Sequence, residues 1–323
     1  MIIIPSIINL ELTNRCNLEC VFCDHPALKR TMRKGDMPVD MLEGLLEGLG
    51  NTPVYELGLV GLGEPTLDKL LTQHLEVISR YRKLFTRISL NSNAVPMTKA
   101  KAQMVLASPI NLVTFSLNST NRASYKELML FDKFDVAVKN IRDFMQMRQE
   151  SGRDDLKISV QFMSSRLNAT DEMQELFSEY LTEDVIVYNR HVFHKPALDN
   201  DQEHLLDQTS SNGDSRYPCW SMYSRAYIDI DGNVYPCTIG NDSYRENGSL
   251  LIGNLADSTL IEVFNQQHIE EARRRAEDGK LPFSECEDCT IWSLLPNNFE
   301  AKSGKWVRTD QDDIRLAELD RED

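Results

Sequence analysis

The 323-residue sequence holds no apolar run that approaches the ~18 residues a bilayer-spanning helix requires. Its opening MIIIPSII is too short for a secretory signal, has no basic stretch before it and offers no cleavage site. It reads as the lead-in to a strand. Positive charge is in deficit: 35 Lys and Arg against 50 Asp and Glu leave a net charge of −15. Phosphate backbones are gripped by basic faces, so this balance argues against a nucleic-acid partner. It is compatible with a cationic substrate, although net charge speaks first to solubility. There is no low-complexity tract and no internal repeat beyond an alternation of strand and helix signals. The remainder is 41% hydrophobic and 26% charged, an ordinary globular composition with room for a sizeable core.

Cysteine is scarce as well, and its distribution is uneven. Seven occur, none of them between Cys23 and Cys219. Cys16, Cys20 and Cys23 share the stretch CNLECVFC, and Cys219, Cys237, Cys286 and Cys289 form a second group. Without a secretion signal, clustered thiols point to a reducing cytoplasm and to metal binding rather than disulfides. Three thiols do not fill a tetrahedral zinc site, and a disulfide framework wants an even count. Soft thiolates at short spacing suit zinc or iron–sulfur centres. Three can hold three irons of a [4Fe–4S] cube and leave the fourth iron open. Zinc completed by a distant His or Asp, and incidental thiols, are the competing readings.

Residues 6 to about 190 alternate strand-like and helix-like segments. IINLELT, YELGLVGLG, TRISLNS, NLVTFSLNS, LKISVQFMSS and DVIVYNRHVF read as six strands. Helical patterns follow the first five: VDMLEGLLEGL, LDKLLTQHLEVISRYRKL, TKAKAQMVLAS, FDVAVKNIRDFMQMRQESG closed by Gly152, and ATDEMQELFSEYL with Thr170 as its cap. Six βα repeats imply a parallel sheet covered on both faces, either doubly wound or a partial barrel. Reactive loops in such folds gather at the carboxyl ends of the strands, which is where CNLECVFC lies. Residues 196–216 are polar and read as a linker or long loop. RAYIDIDGNVYPC then reads as a hairpin turning at Asp231-Gly232-Asn233, and STLIEVFNQQHIEEARRRAEDG as one helix leading to CEDC.

With Phe22 before the last cysteine, Cys16-x3-Cys20-x2-Cys23 resembles the signature loop of the radical S-adenosylmethionine (radical SAM) enzymes. The resemblance covers roughly residues 8–295 and implies a partial (β/α)6 TIM barrel over residues 1–200. It also implies a [4Fe–4S] cluster whose open iron binds S-adenosylmethionine, with reductive cleavage to a 5′-deoxyadenosyl radical that abstracts hydrogen from substrate. GLGEPTL resembles the family's GGEP motif, with Gly63, Glu64 and Pro65 matching and Leu62 in place of the first glycine. By the same resemblance Asn93, Ser116 and Asn118 at strand ends, and Arg166 and Asn168 past the fifth strand, border the cofactor. The element Cys219-x12-Gly232-x4-Cys237 is similar to the opening of the family's SPASM and twitch extensions. With only Cys286-x2-Cys289 following, it implies one fully ligated auxiliary [4Fe–4S] cluster in a small α+β domain, residues 210–300, before a charged tail, residues 301–323. A four-cysteine zinc site satisfies the same spacing.

All seven cysteines are then ligands, which leaves no thiol to return a hydrogen atom and argues against a cysteine-quenched epimerase. Peptide-modifying members usually carry a leader-binding domain, for which the stretch before the first strand leaves no room. The expectation is therefore oxidation of a small sugar- or aminocyclitol-like substrate, an architecture similar to the twitch-type aminocyclitol dehydrogenases. An external electron donor of flavodoxin or ferredoxin type is implied. Crosslinking of a peptide with a separate leader-binding partner, and a zinc-stabilised binding module, are the alternatives. His191, Arg190 and His194 at the mouth of the sixth strand, and Tyr223, Arg225 and Tyr227 near the second site, are candidates for the base that removes a hydroxyl proton, His191 first.

Overall fold

The computed structural model describes residues 2–23, 25, 33–163, 175–190, 218–237, 250–287, 289, 299–302 and 305–308. Six strands, β1 (Ile7–Leu10), β2 (Val54–Leu59), β3 (Phe85–Ser92), β4 (Leu112–Asn118), β5 (Lys157–Met163) and β6 (Val185–Arg190), pair in parallel in sequence order. One face of the sheet is apolar, with Ile8, Leu10, Leu57, Leu59, Ile88, Leu90, Val113, Phe115, Ile158 and Val160 buried. The other carries enclosed polar side chains, Asn9, Ser89, Thr114, Ser159 and Gln161, so the strands alternate where the sequence pattern suggested near-continuous apolar runs. The covering helices are α1 (Val39–Gly48), α2 (Leu71–Arg80), α3 (Lys99–Leu106), α4 (Arg122–Met129) and α5 (Phe134–Ser151). Each buries a stripe at helical spacing: Leu42, Leu45 and Leu46 in α1, and Phe134, Ala137, Val138, Ile141, Phe144 and Met145 in α5. Gly152, at φ +67°, closes α5 in the left-handed conformation that glycine adopts most readily. This is the expected partial (β/α)6 barrel.

The sheet does not end at β1. A hairpin of β7 (Arg225–Ile228) and β8 (Asn233–Tyr235) follows the short helix α6 (Ser221–Ser224). β7 lies parallel to β1, with Ile8 opposite Ala226 and Leu10 opposite Ile228. β8 and β9 (Gly253–Asn254) continue antiparallel, giving one nine-stranded sheet. The hairpin turns as expected, with Gly232 at φ +79°. Its long-range pairing, 218 residues along the chain, has no signature in local periodicity.

Three features differ from the sequence reading. The segment read as one helix at 258–279 is two, α7 (Leu260–Phe264) and α8 (Gln267–Glu277). Between them the Asn265 side chain turns to the N-terminal lead-in, accepting from Ile3 N at 2.7 Å and donating to Ile3 O at 2.7 Å. That contact, with Gln266 in an extended conformation, breaks the helix. Helix α4 was absent from the reading; Asn121 caps it by accepting from Ser124 N at 3.0 Å. Of the helix read after β5, residues 169–174 lie outside the described residues, and in place of a helix Ser178–Tyr180 forms a 3-10 turn. A final hairpin, β10 (Phe299–Lys302) and β11 (Lys305–Arg308), pairs only with itself.

Candidate metal and cofactor site

The three-cysteine loop leaves β1 at the carboxyl edge of the sheet. A buried polar bracket holds its start. Thr13 Oγ1 donates to Gly35 O (3.0 Å), Gly35 N to Asn14 Oδ1 (2.9 Å) and Asn14 Nδ2 to Arg33 O (2.6 Å). His25 Nε2 donates to Asn14 O at 3.1 Å. Further on, Cys23 N bonds Cys20 O (3.1 Å), and Val21 N bonds Leu128 O of α4 (2.9 Å). Leu18 and Val21 anchor the loop in the core, with Cys16 and Cys20 packed against it. Burial pushes the Cys16 thiol up to about 12 and the Cys20 thiol well above its ordinary value. Such thiols become thiolates only beside a strong positive charge, which a bound metal supplies. Among the described residues no three His, Cys, Asp or Glu side chains converge on a single-ion geometry. A cube binds each thiolate through its own iron, so its ligand sulfurs stand farther apart than those around a single ion. The donor set fits the open cluster.

Gly63, Glu64 and Pro65 press against that loop. Glu64 N donates to Arg15 O at 2.7 Å. An added Cβ at Gly63 would stand 1.9 Å from Thr13 O and 2.9 Å from Asn14 Cα, so no other residue fits there without backbone movement. The Glu64 carboxylate is fully buried and takes four donors: Thr66 N (3.2 Å), Thr66 Oγ1 (2.5 Å), Ser92 Oγ (2.8 Å) and Asn93 N (2.7 Å). Burial raises its pKa, and these donors oppose the rise. Its role here is to tie the turn to the end of β3. Asn93 completes the tie, its Nδ2 donating to Asn17 Oδ1 at 3.0 Å inside the cysteine loop.

At the end of β4 the β4–β5 register shifts between Ser116 and Asn118, a bulge that re-aims the strand end. Asn118 is buried at φ +62°, donating to Ser116 O (3.2 Å) and accepting from Gln161 Nε2 (3.4 Å). The structure thus gathers the cysteine loop, Gly63–Pro65 and Asn93 by direct contacts, and sets Ser116 and Asn118 at the carboxyl end of β4. Arg166, Asn168, His191 and His194 lie outside the described residues, and for Arg190 only the β6 backbone is described.

Two small cores lie beside the second cysteine group. Cys219 and Phe283 both pack against the core of Trp220, Met222, Tyr223 and Ala272, and Cys237 and Phe283 both pack against that of Tyr227, Tyr235 and Leu250. Phe283 O accepts from Cys286 N at 3.2 Å. Arg273 braces this region, stacking over Phe264 (4.7 Å) and Tyr223 (5.7 Å) and donating to Met222 O (2.9 Å). Tyr223 is buried there, its hydroxyl donating to Glu277 at 3.0 Å. Tyr227 is buried against Tyr235.

The sequence reading did not single out Glu11, where the two regions touch. Glu11 Oε1 accepts from Leu62 N at 2.8 Å, just before Gly63, with Tyr227 and Asp229 beside it. Burial first and the Asp229 charge second push Glu11 up to about 8. Burial raises Asp229 too, against donors from Asp231 N and Asn233. The signal was one acidic residue within an otherwise apolar strand end, which spacing rules overlook.

The fold is a partial barrel with a three-thiol loop after its first strand, followed by a segment with four further cysteines. Residues 10–160 match the Radical SAM superfamily model, and residues 219–290 match SPASM, an iron–sulfur cluster-binding domain. The chain thus carries a Radical SAM domain match and a SPASM domain match, which imply a [4Fe–4S] cluster with S-adenosylmethionine and auxiliary iron–sulfur binding. It is 25% identical over 141 residues to a GTP 3',8-cyclase of Desulforamulus reducens, covering 43% of this chain and 42% of that one. The chain thus spans well under half the length of the first curated relatives it matches. It is 21% identical over 318 residues, 87% of this chain and 86% of the relative, to a tungsten-containing aldehyde ferredoxin oxidoreductase cofactor-modifying protein of Pyrococcus furiosus. Its fold is similar to BtrN in complex with AdoMet and 2-DOIA (TM-score 0.59, 16% identity, 90% and 94% covered). It is also similar to Streptococcus suis SuiB bound to precursor peptide SuiA (TM-score 0.62, 14% identity, 90% and 70% covered). No helix among the described residues is long and apolar enough to cross a membrane.

Proposed function

We propose that Cys16, Cys20 and Cys23 each hold one iron of a [4Fe–4S] cluster, and that Cys219, Cys237, Cys286 and Cys289 hold a closed auxiliary one. Gly63, Glu64, Pro65, Asn93, Ser116, Asn118, Arg166 and Asn168 border S-adenosylmethionine, and the division at 1–200, 210–300 and 301–323 follows from this assignment. Bound together, cluster and cofactor supply one-electron chemistry that abstracts hydrogen from substrate. The reaction proposed is oxidation of a small sugar- or aminocyclitol-like alcohol. Turning a secondary alcohol into a ketone releases one hydrogen atom, one proton and one electron. A site with all its thiols committed suits the electron, and His191 or Arg190 at the mouth of β6 suits the proton. A reductant of flavodoxin or ferredoxin type is part of the proposal.

The observation that carries it is a three-thiol loop after β1 together with Cys219 and Cys237 on either side of the β7–β8 hairpin that pairs with β1, each packed against a small core that also takes Phe283. Anaerobic reconstitution tests it. The protein should take up about eight irons, two cubes of four. With Cys16, Cys20 and Cys23 changed to Ala it should keep about four and release no 5′-deoxyadenosine under dithionite. Zinc uptake without iron would overturn the assignment. A second reading, peptide modification, is favoured by the likeness to SuiB bound to its precursor peptide. A ketone product from an aminocyclitol supports the first, and a mass change on a supplied peptide supports the second.

A further inference from the structure

Tyr125 lies in the middle of α4, fully buried, and its hydroxyl has no hydrogen-bond partner among the described residues. A buried phenol left unpaired is costly, so such a group calls for a partner that the described residues do not supply. Its surroundings narrow the choice. The ring is held edge-on by Phe134 (centroids 5.7 Å apart, 63°), which fixes the direction of the hydroxyl. One helical turn further, Leu128 O receives Val21 N of the cysteine loop, so Tyr125 shares the helix face that the loop lies on. The Asn121 cap and the left-handed Leu130 pin both ends of α4, leaving the helix little freedom to turn the phenol elsewhere. Tyr125 belongs to the buried core against which Cys16 and Cys20 pack.

We infer that Tyr125 is a positioning residue for the open cluster, its O–H donating a hydrogen bond to sulfur at the Cys16–Cys20 side and setting the cluster's reduction potential. The inference rests on the assignment of Cys16, Cys20 and Cys23 as ligands. Hydrogen bonds to cluster sulfur stabilise the more negative, reduced state and move the potential up. Without this donor, reduction by a given electron carrier becomes harder.

The test is an EPR-monitored redox titration of the anaerobically reconstituted protein in which Cys286 and Cys289 are Ala, so that the open cluster is read alone. Tyr125→Phe deletes one oxygen. It should lower the reduced-to-oxidised ratio at a fixed potential by about tenfold, a shift of about 59 mV to more negative values for a one-electron couple. Site-specific 3-fluorotyrosine at position 125 keeps the hydroxyl and makes it the stronger donor, so it should move the potential the other way. The metal-free Tyr125→Phe protein should melt no lower than its parent, since no partner among the described residues is lost. Unchanged potentials in both variants, or a lower melting point with an unchanged potential, would overturn the inference while leaving the ligand assignment intact. If the parent binds no iron at Cys16, Cys20 and Cys23, the ligand assignment itself has failed and the inference falls with it.

Discussion

Replacing Glu11 with Gln should change how stability depends on pH. The folded carboxyl titrates at about 8, against 4.5 as its ordinary value, because burial and the Asp229 charge disfavour its anion. Below about pH 4.5 both folded and unfolded states are protonated, and the group contributes no slope. Between 4.5 and 8 the unfolded chain releases the proton and the folded protein keeps it, so stability falls as pH rises, by ~1.4 kcal/mol per pH unit. Above about 8 both states are ionised, and the full loss has been reached. The interval of 3.5 units (8 − 4.5) bounds that loss at ~5 kcal/mol, of which ~3 kcal/mol is present at pH 7. Gln keeps the acceptor for Leu62 N and offers an amide N–H₂ toward Tyr227 and Asp229. The variant should match the parent at pH 4.5 and melt higher at pH 8, by on the order of 5 °C for a chain of this size. Thermal midpoints of the two reconstituted proteins, scanned anaerobically at one rate from pH 4.5 to 8.5, give the difference, in which all other titrations cancel. Parallel profiles, or a Gln variant that melts lower at pH 8, would refute the reasoning.

Two further substitutions test how the site is held. Gly63→Ala puts a methyl group 1.9 Å from Thr13 O, a backbone contact that cannot yield, and should cost ~3 kcal/mol or more while lowering iron uptake at the cysteine loop, read by iron analysis and a melting scan. His74, buried in α2, has Nδ1 2.7 Å from Asp68 Oδ2 and Nε2 3.0 Å from Met37 O, so the ring ties the two together. His74→Leu strands the Asp68 carboxylate and should cost ~3–5 kcal/mol in denaturant unfolding, and adding Asp68→Asn should recover a good part of it.

Features encoded by nearby residues could be read from the sequence. The six strands announce themselves because apolar side chains recur over four to eight positions, and each lies where the pattern put it within a few residues. The cysteine loop and the Gly63–Pro65 turn are short, contiguous spacings whose chemistry belongs to the residue types themselves. The break at Asn265 was hidden because its cause is Ile3, 262 residues away in the chain. Helix α4 was hidden because eight residues give too little periodicity to stand out.

Burial of polar groups was the other blind spot. Glu11, Thr13, Asn14 and Tyr125 look like surface or core residues in a sequence, and only the fold shows that each is enclosed. These four matter together. Thr13 and Asn14 fix where the loop leaves β1, Tyr125 backs it from α4, and Glu11 joins it to Leu62 and to the Tyr227–Asp229 side of the neighbouring hairpin. Since β1 pairs with β2 on one edge and β7 on the other, the strand that launches the three-cysteine loop also adjoins the hairpin that leads to Cys237. Displacement of β7 would therefore act on the cysteine loop through Glu11 and Leu62 before it reached any ligand. The spacing of cysteines states what the chain can bind, and the enclosed polar groups decide how rigidly the two sites are held to each other.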